Sequence, residues 1–169
     1  MAVTTNLRIR RYEEGEETAL WEIFHSSIHQ LAHRHYSAGQ LAAWAPDNRD
    51  EHAWRRRIAA NAPFVAVVDG RIAGYADLQP SGYIDHFFVG GACAGRGVGA
   101  ALMRHLLAVA ESRRIGRLHA DVSLAAEAFF LRHGFSVETR QQVTIRGVQL
   151  QNARMSRSVA LGHTPAPPG

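Results

Sequence analysis

Between Tyr83 and Met103 the chain reads YIDHFFVGGACAGRGVGAALM: a strand-forming run, a turn carrying Gly90, Gly91, Gly95, Gly97 and Gly99, and a helix that opens at once. This order restricts the fold, because a strand ending in glycines at a helix N-terminus builds a cradle for an anion. Glycines let the backbone come close to a ligand, and the first N–H groups of a helix lack internal partners and sit at the positive end of its dipole. The amides from Gly95 to Ala100 are therefore placed to hold a pyrophosphate. The P-loop, one user of such a turn, needs a Gly-Lys-Ser/Thr ending, and all 19 basic residues here are arginine. The dinucleotide fingerprint needs G-x-G-x-x-G early in a repeating βα pattern; counted from Gly95, Ala100 stands third, and antiparallel strands precede the turn.

The rest of the chain predicts the setting of this turn. Leu7 to Arg11 alternates like a strand, and Glu16 to His33 carries Leu20, Ile23, Phe24, Ile28 and Leu31 at helical spacing. Ser37 caps a second helix that ends by Trp44, ahead of Pro46, and Asp50 to Asn61 supplies a third. Asp69-Gly70 joins two β-rich runs as a hairpin, and Tyr83 to Val89 forms a further strand. A helix over Gly97 to Arg114, a strand over Arg117 to Val122 and a helix over Leu124 to His133 follow. Ser136 to Ile145 and Val148 to Val159 close the chain as an antiparallel pair about Arg146-Gly147. The predicted class is α/β (α+β), a mixed, mostly antiparallel sheet with helices on both faces. At 169 residues a single domain is expected over 1–161, with a disordered proline-rich tail over 162–169. The lone Cys93 permits no internal disulfide, and no apolar run reaches membrane-spanning length, so a cytoplasmic protein without a membrane partner is expected. The net charge of +4 rests partly on Arg55, Arg56 and Arg57, which read as a solvated helix face rather than a nucleic-acid surface. A homodimer is compatible with all of this.

The stretch ACAGRGVGAALM resembles the acetyl-CoA motif of the GNAT superfamily of N-acetyltransferases, Gln/Arg-x-x-Gly-x-Gly/Ala, with Gly97 and Gly99 as its glycines and Ala94 in place of the Gln or Arg. SLAAEAFFLRHGF, Ser123 to Phe135, is similar to the family's Asn-x-x-Ala…Phe-Tyr-x-x-x-Gly-Phe segment. His35 to Pro46, HYSAGQLAAWAP, is similar to a less characterised bacterial branch. The resemblance runs from Leu7 to Val159. It implies a GNAT-type sheet whose fourth and fifth strands splay after Val89, and an acetyltransferase that uses acetyl-CoA as co-substrate. Val89, Gly95, Arg96, Gly97, Val98, Gly99 and Ala100 would bind the CoA, whose phosphates suit a basic surface. The acceptor would be an amine of a small molecule or peptide. A protein that binds acyl-CoA as a sensor without turning it over is the competing class.

Acetyl transfer from a thioester needs a neutral amine, a stabilised oxyanion and a proton for the leaving thiolate. The Val89 amide is the oxyanion candidate. Strand alternation puts Tyr83, Asp85, Phe87 and Val89 on one face, which aligns the Asp85 carboxylate with the reactive end. In a mostly apolar strand its pKa should be raised, suiting a base, with His86 next in line. Phe130 stands where many relatives have the tyrosine that protonates CoA, so either water or another hydroxyl such as Ser123 donates, or the thiolate leaves unprotonated. His25, His29 and His33 share one helical face. Zinc would need a further ligand, and no Cys or Glu lies on that face nearby, so no metal is expected. By the resemblance, the first two helices overhang the acceptor pocket, which makes His29, His33, Tyr36 and Trp44, with Tyr83, the expected substrate contacts.

Overall fold

In a computed structural model describing residues 5–162, β1 (Leu7–Arg11) pairs antiparallel with β2 (Phe64–Val68), so the intervening chain must cover one sheet face. It does so as α1 (Glu17–Leu31), α2 (Ala38–Trp44) and α3 (Glu51–Asn61). The Ser37 side chain accepts from the Gln40 amide while the Gln40 side chain accepts from the Ser37 amide, a reciprocal cap that starts α2 where the sequence predicts. Asp50 starts α3 by accepting from the Ala53 amide. At Asp69 (φ 49°) and Gly70 (φ 81°) the chain turns back into β3 (Arg71–Ala76), the left-handed pair that a tight hairpin demands.

Every residue of β2 is buried, because both its faces are covered. Phe64, Ala66 and Val68 join the core beneath α4 (Val98–Ser112), with Leu102, Met103 and Leu106, while Val65 and Val67 join the core beneath α1 to α3, with Phe24, Trp54 and Tyr75. The remaining elements are β4 (Tyr83–Ile84), β5 (Phe87–Val89), β6 (Arg117–Ser123), α5 (Glu127–Arg132), β7 (Ser136–Ile145) and β8 (Val148–Ser158). One four-stranded run has the order β1-β2-β3-β5 and a second the order β4-β6-β8-β7. The expected mixed sheet with helices on both faces is thus present, and one predicted strand is not. Tyr83 to Val89 is broken: β4 pairs parallel with β6, whereas β5 pairs antiparallel with β3. The sheet therefore parts after Ile84, not after Val89 as expected. The tail from His163 onward lies outside the described residues.

No helix among the described residues is long and apolar enough to cross a membrane.

Candidate active site

A strand that changes partner must leave backbone groups unpaired at the change, and Asp77 meets that need. Its fully buried carboxylate accepts from the His86 amide at 2.5 Å and the Asp85 amide at 3.3 Å, while Gln79 Nε2 donates to it at 2.5 Å. These bonds replace ladder partners and kink the strand between β4 and β5. Sequence reasoning missed Asp77; the signal present was an acidic residue closing an otherwise apolar strand. Burial pushes its carboxyl up to about 6, against the opposing bonds from Gln79, His86 and Asp85. A carboxyl raised in the fold stabilises fully at low pH, and that contribution is lost as pH rises through about 6. Asp77→Ala strands two buried amides, so it should lower the thermal midpoint by roughly 5–15 °C, read by calorimetry. A midpoint within about 1 °C of wild type would show that the kink does not depend on this carboxylate.

The kink also overturns the expected facing of Asp85. Arg57 donates to it through Nε at 2.9 Å and Nη2 at 2.8 Å, and Asn61 Nδ2 donates at 2.7 Å, so Asp85 reaches α3. His86, its neighbour in sequence, points to the same side and stacks against both Phe24 and Trp54. Strict alternation resumes only at Phe87, which meets Phe129 and Phe130, and Phe88, which meets Phe24. The raised pKa expected for Asp85 is corrected as well. Burial pushes its carboxyl up, but the Arg57 bond, the charge of His86 and the Asn61 bond together outweigh burial and hold it below the ordinary value. Arg57 and Asn61 are one turn apart on α3, a pairing hidden in what read as a solvated basic face. His86 is held down to about 4 by burial and is neutral near pH 7. The Tyr75 hydroxyl lies 3.1 Å from its Nδ1, and its Nε2 stands 3.6 Å from Asp85 Oδ2.

Beyond the kink, Asp77 N–H donates to His86 O and Gly90 N–H to Ala73 O. In an antiparallel ladder these narrow pairs recur at every second residue, so the amides of Phe87 and Val89 turn away from β3 toward the opened edge. A chamber lies along that edge, lined by Asp85, Phe87, Val89, Gly99, Ser123 and Phe129 among others. At its far end, Gly95 (φ 74°) and Gly97 (φ 81°) hold the left-handed conformations that glycine favours. The first internal bond of α4 runs from Ala101 N–H to Gly97 O, so the amides of Val98, Gly99 and Ala100 precede it and have no helical partner. Arg96 is exposed beside them. A Cβ on Gly99 would lie 3.1 Å from the Phe129 ring and 3.6 Å from a Val89 methyl, so a side chain there would close the path from turn to chamber. Phe130 is buried against Phe87 and Phe135 and offers no hydroxyl. Ser123 accepts from the Ala126 amide at 3.2 Å, which leaves its own proton available to donate.

A second chamber, of about 390 Å³, shares Trp44, Asp85, Phe88, Asp121 and Ser123 with the first. Tyr83 lines it, its hydroxyl 3.4 Å from Asp121 and its pKa pushed up to about 12 by burial and the charges of Asp121 and Asp85. Tyr36 lines it too, but its hydroxyl is committed, donating to Gln151 O at 2.5 Å and accepting from the Leu124 amide at 3.0 Å. His29 and His33 line neither chamber. Leu20, Phe24 and Ile28 form the buried face of α1, continued by Ala32 just beyond its end, and the histidines stand one residue further on, rotated roughly 100° away from the sheet. His29 Nε2 meets Ala45 O at 2.7 Å, and the exposed His33 donates from Nδ1 to Gln30 O.

A sheet prised open at one strand, with an amide cradle at one end of the gap and a polar chamber at the other, is built to bring two substrates together from opposite sides. That is the architecture of an acyl-group transferase. The chain belongs to the GNAT family of N-acetyltransferases: the family model for an acetyltransferase (GNAT) domain matches residues 32–157. Over 150 residues it is 34% identical to the uncharacterized N-acetyltransferase YafP of Escherichia coli strain K12, covering 89% of this chain and 95% of that protein. The solved GCN5-related N-acetyltransferase from Rhodopseudomonas palustris superposes with a TM-score of 0.88 at 31% identity, covering 94% of this chain and 99% of that one. The yncA protein from Salmonella typhimurium, solved with its cofactor acetyl-CoA, shares the fold with a TM-score of 0.66 at 20% identity over 95% of this chain and 98% of that one.

Proposed function

We propose that the chain transfers an acetyl group from acetyl-CoA to an amine of a small molecule or peptide by direct attack. The observation that carries this reading is the meeting of the two chambers at Asp85 and Ser123, with Gly99 of the glycine turn on one side and Tyr36 and Tyr83 on the other. The pyrophosphate lies on the amides of the turn, and the thioester reaches the opened edge of β5, where the Val89 amide meets the developing oxyanion. Asp85, held ionised by α3, draws the acceptor amine toward the opened edge and accepts, directly or through water, the proton that its nitrogen releases on attack. Attack by the amine lone pair forms the C–N bond, the nitrogen proton made acidic by that bond passes to Asp85, and the C–S bond breaks as the thiolate leaves, either as the anion, since thiols ionise readily near neutral pH, or with a proton from Ser123, which regains one from solvent. The acetyl-CoA bound by the Salmonella relative supports the choice of donor.

Incubating the protein with acetyl-CoA and a panel of amines, amino acids and peptides tests this reading by thiol release. Release above the water background with at least one acceptor is expected; background release throughout would favour the sensor, a reading to which the buried, hydroxyl-free Phe130 lends its weight.

Direct transfer also predicts that Cys93→Ala keeps turnover within about twofold of wild type, because Cys93 sits in the short 3₁₀ turn Gly91–Cys93 and lines neither chamber. Loss of activity together with a trapped acetyl-Cys93 would contradict it.

A further inference from the structure

His25 and His29 lie one above the other on α1, their rings stacked with centroids 4.1 Å apart. The fold brings them the ligand that their own helix lacks. From the loop after α2, Asp47 Oδ1 comes within 2.7 Å of His25 Nε2. One nitrogen of each ring and one carboxylate oxygen all lie within 4.8 Å of one another. With His29 donating its Nε2–H to Ala45 O at 2.7 Å, the lone pair of that ring is on Nδ1. A backbone carbonyl holding the second nitrogen in this way is the arrangement that fixes the tautomer of metal-bound histidines.

We propose that His25, His29 and Asp47 bind a divalent transition-metal ion of zinc type, which ties α1 to the segment following α2. Two imidazoles and one carboxylate suit zinc, cobalt or nickel, whereas magnesium and calcium take oxygen ligands. Bond lengths near 2 Å set the donor atoms roughly 3.3 Å from one another, so His25 Nε2 and Asp47 Oδ1 part slightly from 2.7 Å while the wider separations close. Asp47 has the freedom to do so, its side chain being 94% exposed. On binding, the hydrogen bond between His25 and Asp47 gives way to two metal bonds, and the proton leaves Nε2 so that the ring binds as its neutral Nδ1–H tautomer. Trp44, a wall shared by both chambers, stands directly before Ala45, so the ion would also fix the segment that carries this wall. The site stands apart from the acetyl-transfer reading, since none of its three residues lines either chamber.

Calorimetric titration of zinc chloride into the EDTA-washed full-length chain, at neutral pH in a weakly coordinating buffer, tests it. One ion per chain is expected, bound more than about tenfold more weakly by His25→Ala and by Asp47→Asn, and equally well by His52→Ala on the exposed face of α3. Metal-free melting curves of the site variants should match wild type, which separates loss of a ligand from loss of fold. Absence of binding to wild type, or equal binding by wild type and both site variants, would overturn the proposal.

Discussion

Asp85→Asn is expected to lower the turnover rate roughly a hundredfold while leaving acetyl-CoA affinity nearly unchanged. The substitution keeps the size of the side chain and removes the charge that draws in the acceptor amine and receives its proton. Because Arg57, His86 and Asn61 hold the wild-type carboxyl below its ordinary value, Asp85 stays ionised across the neutral range. The rise of activity with pH should therefore follow deprotonation of the amine acceptor and show no step from Asp85. Trp44→Ala is the contrast: as part of a chamber wall it binds ground and transition states alike, so its effect should fall mainly on the Michaelis constant of the acceptor. Full activity of Asp85→Asn across the pH range would place the proton acceptor elsewhere, and His86 or an ordered water would be the next candidate.

Gly97→Glu is expected to weaken acetyl-CoA binding by about a hundredfold or more in a calorimetric titration. Gly97 has φ of 81° and open space where a Cβ would stand, so the protein itself presents no clash. Two effects add. A non-glycine residue is strained in this left-handed conformation, and a carboxylate at the first turn of α4 repels phosphate from amides meant to receive it. Gly97→Ala separates them, because it carries the strain without the charge and should retain most of the affinity. Equal affinity of wild type and Gly97→Glu would remove the phosphate from this turn.

Features set by local chemistry were legible in the sequence: the Ser37 and Asp50 caps, the Asp69-Gly70 hairpin, and the glycine turn leading into α4. Each depends on residues within a few positions of one another. The kink after Ile84 was not legible, because it depends on a carboxylate eight residues earlier in the chain that comes to lie against the backbone of the broken strand. An alternating pattern through Tyr83 to Val89 carries no mark of that contact. The same limit explains Asp85, whose pKa direction reverses through Arg57 and Asn61 on a helix well separated in sequence. On α1 the histidine repeat was visible, but the direction it faces follows from the packing of Phe24 and Ile28 one position before, and its third partner, Asp47, arrives from another segment.

The most direct test of the account is a nuclear magnetic resonance titration of the ¹⁵N-labelled chain with acetyl-CoA, following the backbone amides. The largest shifts should fall on Gly95 to Ala100 and on Val89, with smaller ones on Ser123 and none on the exposed face of α3. Saturable binding that leaves the Gly95 to Ala100 and Val89 amides unmoved, or no binding at all, would contradict the claim that the turn and the opened strand edge hold the donor.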